Sequence, residues 1–186
     1  MNKTIIGLVG EIASGKDEAA KFLTKEYGSI TASFSQPLRD TLDILGLPQD
    51  RDNMINLGID LRERFGQDIL AKAVLRMVNK SDAPVACLPN VRLLSDITVF
   101  ENLPGFHLIR IDADEDVRFK RLCNRGQNPD DATKTWEEFL VDSQKPTEIA
   151  IRETAKHAQF SIENNTCIAN LHKQVRAIMR VITGGE

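Results

Sequence analysis

Ile5-Ile6-Gly7-Leu8-Val9-Gly10-Glu11-Ile12-Ala13-Ser14-Gly15-Lys16-Asp17 is the stretch that decides how this chain folds. An apolar run reads as a buried strand. Two glycines with four residues between them follow, then a lysine, and then Ala19, Ala20, Phe22 and Leu23 recur at helix spacing. Strand, glycine-rich turn, lysine and helix in that order form the phosphate-loop arrangement. The glycines let the backbone curl so that successive N–H groups point inward at phosphate oxygens. The helix N-terminus adds partial positive charge, and Lys16 adds a full one that reaches the outer phosphates. Gly10, Ala13, Ser14, Gly15, Lys16, Asp17 and Glu18 are therefore the expected nucleotide-binding residues. Asp17 stands where serine or threonine normally places a hydroxyl on magnesium. A carboxylate there can hold Mg2+ through its water shell, because magnesium gives up water reluctantly. Without the metal, the same charge would repel phosphate, so nucleotide binding is expected to depend steeply on magnesium.

Composition narrows the partners. The 186 residues suit one compact domain, and 24 basic against 27 acidic side chains leave a net charge of -3. No overall basic field recruits nucleic acid. No apolar run reaches the length of a membrane span, and Met1-Asn2-Lys3-Thr4 leads into a strand rather than reading as a signal peptide. Cys87, Cys123 and Cys167 are odd in number and widely spaced, without metal-ligand spacing. They read as reduced, mostly buried thiols of a cytoplasmic protein.

Further apolar segments at 29–34, 84–88, 106–111 and 159–162 read as strands, with helical patterns between them. Alternating strands and helices predict an α/β fold, a five-stranded parallel sheet with helices on both faces. Its ligand site lies beyond the carboxyl ends of the strands, where Gly10 to Asp17 falls. Ile168, Leu171, Val175, Ile178, Met179 and Ile182 form the apolar stripe of a final packing helix ended by Gly184 and Gly185. Two stretches exceed simple crossovers. Residues 35–80 hold at least two helices, broken near Gly46-Leu47-Pro48 and Gly66, the first with Ser35 as cap and Pro37 in its first turn. Residues 124–147 are polar, with a short helix around Trp136. Both read as covers over the active edge of the sheet. The expected layout is one domain, with its core at 1–34, 81–123 and 148–186, an acceptor-binding region at 35–80 and a lid at 124–147.

These parts resemble the nucleoside monophosphate kinase family of phosphate-loop NTPases. The likeness is closest to archaeal and related microbial members labelled adenylate kinase-like or dephospho-coenzyme A kinase-like. Phe34-Ser35-Gln36-Pro37-Leu38-Arg39 is similar to the start of the family's acceptor-binding region, and Leu57 through Gly66 to its second helix. Arg118, Arg121 and Arg125 match the arginine-rich entry to the lid. The Gly-Lys-Asp form of the loop also occurs in phage deoxynucleoside monophosphate kinases and in phosphomevalonate kinases. The resemblance implies an ATP-dependent phosphotransferase with magnesium and a small phosphorylated acceptor. Arg39 and Arg92 would hold the acceptor; Lys16, Arg121 and Arg125 would act on the transferred group; Asn165 would hold the base.

Phosphoryl transfer has a loose transition state, so catalysis comes mainly from alignment and charge neutralisation, and arginine's planar fork suits phosphate oxygens. Several residues allow two readings. Arg118, Arg121 and Arg125 share one helix face, and Arg118 reads equally as a solvated residue. Asn164-Asn165-Thr166 reads as a base-binding loop or as a helix cap. Asn90 stands where many relatives carry aspartate. Either Asp17 or Asp96 takes over that duty, or catalysis has weakened and binding alone remains. A nucleoside or deoxynucleoside monophosphate is the leading acceptor. Dephospho-coenzyme A is the rival, and its hydroxyl needs a base, for which Asp40 and Asp43 are the nearby candidates.

Overall fold

The computed structural model describes residues 3–125 and 131–185. Five strands, β1 (Thr4–Val9), β2 (Ile30–Thr31), β3 (Val85–Val91), β4 (Phe106–Asp112) and β5 (Phe160–Glu163), form one sheet in the order β2-β3-β1-β4-β5. Every pairing is parallel. Parallel neighbours need a crossover, and helices provide it: α1 (Lys16–Tyr27), α2 (Gln36–Ile44), α3 (Arg51–Phe65), α4 (Ile69–Lys80), α5 (Leu94–Ile97), α6 (Glu115–Arg125), α7 (Trp136–Ser143), α8 (Pro146–Ala155) and α9 (Ile168–Thr183).

Alternation along β1 divides the core into two layers. Ile6 and Leu8 face α1 and α9, where they pack with Phe22, Leu23, Leu171, Val175 and Met179. Ile5 and Val9 face the opposite side, where Leu70, Val74, Val78, Phe100 and Ile151 complete the second layer. Helices therefore cover both faces, as the alternation of elements predicts. The stripe expected on the last helix is α9, and Gly184 caps it in the left-handed conformation.

Several boundaries differ from the sequence reading, each for a visible reason. The segment expected as a strand over 29–34 is a strand at Ile30 and Thr31, with one further bond from the Ala32 N–H to the Cys87 carbonyl at 2.9 Å, before the chain turns at Ser33 into α2. β3 runs past Leu88 to Val91. Its register with β1 slips between Gly7 and Val9, opposite Pro89 and Asn90, where proline supplies no ladder donor. Ser35 precedes α2 as expected but does not cap it; its hydroxyl lies 3.0 Å from that of Ser33. Residues 35–80 hold three helices, parted near Gly46 and Gly66. Of the stretch read as a lid, residues 126–130 lie outside the described residues. The remainder is a 3-10 turn (Asp131–Thr133), α7 and the start of α8. Trp136 and Phe139 of α7 pack on Phe119 of α6. Cys87 alone among the three cysteines is fully buried, which raises its thiol to about 12, while Cys123 is half-buried and Cys167 exposed.

Phe100 is fully buried against Phe106 at 5.6 Å between ring centres. Phe100→Ala should cost about 3–5 kcal/mol of folding stability in urea unfolding. A loss below about 1 kcal/mol would mean that the layer under α5 collapses into the gap.

Candidate functional site

The loop from Gly10 to Gly15 leaves β1 at the carboxyl edge of the sheet and enters α1. Gly15 has φ 110° and Gly10 φ 157°. A Cβ at Gly10 would strike the carbonyl oxygen of Ile111, and one at Gly15 would strike the amide of Asn164. Both glycines are thus required by close approach as well as by backbone angle. Ala13 takes φ 60°, a conformation that costs an L-residue on the order of 1 kcal/mol. The first helical bond of α1 runs from Ala19 N–H to the Gly15 carbonyl at 3.1 Å. The N–H groups of Lys16, Asp17 and Glu18 precede it, at the end of the helix where an anion is favoured.

Lys16 folds back over this curl. Its ammonium donates to the carbonyls of Gly10 at 2.7 Å and Glu11 at 2.8 Å. Burial lowers its pKa from 10.5 to about 8, opposed first by the charges of Asp17 and Glu148, while Arg92 and Arg118 push the same way as burial. Ser14 is buried and its hydroxyl has no partner among the described residues. Asp17 is exposed beside Lys16. A carboxylate near the lysine, next to free helix N–H groups, fits magnesium bound to phosphates. Magnesium often takes only one or two protein carboxylates. Among the described residues, no cluster of three or more metal-binding side chains occurs.

Sequence reasoning missed two residues at the loop, Arg152 and Glu148, and the role of a third, Asn164. Arg152 of α8 donates to Glu11 Oε1 at 2.8 Å and to the Ser143 carbonyl at 2.9 Å. Glu148, one turn earlier, accepts from the Ile12 N–H at 3.4 Å. Asn164 is buried and donates to the Ser14 carbonyl at 2.8 Å. The Glu148–Arg152 spacing of four on one helix was a readable signal, but nothing in the sequence says which surface that face meets.

The other candidates separate. Arg118 is not a solvated residue: its side chain is 2% exposed, bonded to the Ala113 carbonyl at 3.1 Å and 3.3 Å from Glu11. Arg92 is exposed near Lys16. Arg39 is exposed on α2. Arg121 reaches the Thr166 carbonyl at 3.4 Å, and burial lowers its pKa. Arg125 pairs with Asp131 at 2.9 Å. Glu18 turns its carboxylate to His172 at 3.0 Å, leaving its backbone N–H to the loop. Asn164-Asn165-Thr166 does not cap α9, whose N-cap is Cys167. Instead Asn165 accepts from the Asp114 N–H at 2.7 Å, tying this loop to the start of α6. Asp96 is buried and accepts from the N–H groups of Arg92 and Leu93, both at 3.0 Å, so it caps its own helix. A cleft of about 740 Å3 beyond β4 and β5 meets the phosphate loop only at Glu11. Its lining is mixed in charge, with Arg110 and Arg118 among Asp112, Asp114 and Glu163, whereas the loop presents Lys16 and the N–H groups that start α1.

No family model matches the sequence. The chain is 31% identical over 127 residues to a UPF0200 protein of Methanoregula boonei, covering 68% of this chain and 69% of that one. It is 27% identical over 183 residues to a UPF0200 protein of Methanoculleus marisnigri, covering 98% of each. The chain belongs to the UPF0200 family. Among solved structures it is similar to TT1252 from Thermus thermophilus, with TM-score 0.65 and 19% identity over 97% of this chain and 98% of that one. It is also similar to the shikimate kinase of Bacteroides thetaiotaomicron, with TM-score 0.59 and 15% identity over 97% and 98%. The dephospho-CoA kinase of Campylobacter jejuni gives TM-score 0.55 and 16% identity over 98% of each chain. These likenesses show the fold, a parallel α/β sheet with helices on both faces. No helix among the described residues is long and apolar enough to cross a membrane.

Asn164→Ala removes a buried donor from the Ser14 carbonyl and should cost about 1–3 kcal/mol in thermal or urea unfolding. Unchanged stability would show that this bond does not brace the loop.

Proposed function

We propose that this chain is an ATP-dependent phosphotransferase whose acceptor is a nucleoside or deoxynucleoside monophosphate. One observation carries the reading. A lysine ammonium is held out of water at a curled loop, beside the free N–H groups of a helix start. Desolvating that charge is costly, and a polyanion is the ligand that offsets it. Lys16 and the N–H groups from Ala13 to Glu18 would hold the phosphates of ATP, with Asn165 at the base. Asp17 would hold magnesium through water, and the metal when bound would neutralise phosphate charge.

Arg39 and Arg92 would bind the acceptor phosphate, with 35–80 as the region that selects it. Arg121 and Arg125 would approach from the lid at 124–147, with 1–34, 81–123 and 148–186 as the core. In this reading Arg125 exchanges Asp131 for phosphate as the site closes and excludes water.

An acceptor hydroxyl, as in dephospho-coenzyme A, is the second reading. The likeness to a dephospho-CoA kinase favours it. A hydroxyl must lose its proton to a base, however, and Asp40 is an exposed residue already accepting from Gln36 at 2.7 Å. A monophosphate oxygen is already ionised and needs no base. That difference favours the monophosphate.

ADP formation from MgATP should rise strongly with one member of a panel of ribo- and deoxyribonucleoside monophosphates, and Lys16→Met should abolish it. Stimulation by dephospho-coenzyme A alone would overturn the acceptor. ATP binding with no stimulated turnover would leave a nucleotide-binding protein without transfer.

A second prediction concerns pH. Phosphate beside Lys16 favours its charged form, so binding should raise the lysine pKa from about 8 toward its ordinary 10.5. MgATP binding should therefore take up protons near pH about 9, and the uptake should vanish as pH falls to about 7, where Lys16 is already charged. Calorimetry in buffers of different ionisation enthalpy reads the uptake directly. None at either pH would place Lys16 away from the phosphates.

A further inference from the structure

Glu11 belongs to the phosphate loop, yet its side chain binds no atom of that loop. Its two carboxylate oxygens hold two arginines from different helices. Oε1 takes Arg152 of α8 at 2.8 Å, and Oε2 takes Arg118 of α6 at 3.3 Å. The carbonyl of the same residue accepts from Lys16 at 2.8 Å. Three cations thus converge on one residue at the mouth of the loop. Arg118 is 2% exposed, and its terminal nitrogen Nη1 has no hydrogen-bond partner among the described residues. A buried charged donor without an acceptor is costly, and folded proteins rarely keep one. The side chain of Arg152 is 37% exposed, and its Nη1 makes the bonds to both Glu11 and the Ser143 carbonyl.

We propose that Glu11 is a positioning residue: its carboxylate fixes Arg118 and Arg152 beside the phosphate loop so that their remaining N–H groups meet the phosphoryl group during transfer. The inference rests on the phosphotransfer reading above. In the step, the bond from phosphorus to the ADP oxygen breaks while a bond from an ionised acceptor oxygen to phosphorus forms. ADP leaves with the electron pair, and no proton has to move. Charge spreads over the phosphoryl oxygens, where guanidinium donors act best. Glu11 gives those donors a fixed direction before the reaction, and it offsets the repulsion among Arg118, Arg152 and Lys16. Glutamine could not replace it, since its amide nitrogen would point a donor at one of the two guanidinium groups.

The test uses the full chain with MgADP, and MgADP plus aluminium fluoride, which occupies the place of the transferred phosphoryl group. Wild type should bind MgADP and bind it more tightly with fluoride. E11Q should keep its MgADP affinity within about threefold but lose roughly 10- to 100-fold of the fluoride-dependent gain. R152K, at a partly exposed site, should lose a similar part of the gain, because lysine lacks the planar fork. The double variant should be no worse than the weaker single one, since both break the same arrangement. Thermal melts establish that each variant is folded, and R152K carries the test should E11Q not fold. An undiminished fluoride gain in E11Q, equal losses with and without fluoride, or strictly additive losses would overturn the proposal. A wild-type chain that binds MgADP without any fluoride gain would overturn the transfer reading along with it. A wild-type chain that binds no MgADP would overturn nucleotide binding itself.

Discussion

The ammonium of Lys16 is buried on the carbonyls of Gly10 and Glu11, and the arrangement of the site depends on that burial. Its pKa falls from 10.5 to about 8, which corresponds to a penalty on the order of 3 kcal/mol for keeping the charge at neutral pH. The folded-state value lies below the unfolded one. The penalty is therefore complete below about pH 8 and disappears as pH rises toward 10.5. The fold tolerates this cost because other interactions hold the loop shut. Asn164 braces Ser14 from the end of β5, and Gly10 lies against Ile111 at the end of β4.

The sheet explains why those braces meet the loop. β1 is central, with β3 on one side and β4 on the other, and β5 follows β4. Parallel strands bring all their carboxyl ends to one edge, so the segments after β4 and β5 adjoin the one after β1 although each lies more than a hundred residues from it in sequence. Asn165 extends the connection to Asp114 at the entry to α6, and Arg121 returns from α6 to Thr166. The loop after β5, the glycine-rich loop after β1 and helix α6 are thereby joined by short polar contacts.

Much of this was legible beforehand. The strand–loop–helix around Gly10 to Lys16 is local, and its residues specify their own backbone. Alternating apolar segments revealed the parallel sheet, and the stripe from Ile168 to Ile182 revealed α9. Legibility failed where a side chain answers to distant neighbours. Arg118 lies in a sequence that reads as a polar helix, and only packing under Phe139 and Glu11 removes it from water. The pattern around Asn164 suits a helix cap, but the residue is drawn instead to Ser14. Ser35 looked like a cap and found Ser33.

By itself the sequence determined the class of fold and the conformation of the loop, because glycine angles, strand alternation and helix periodicity act over a few residues. Tertiary structure decided which charges surround that loop. Glu11 meets Arg118 and Arg152, Ile12 meets Glu148, and Ser14 meets Asn164, across separations that no local period encodes. Those pairings follow from strand order and from the helix faces left toward the sheet edge, and they exist only once both core layers have packed.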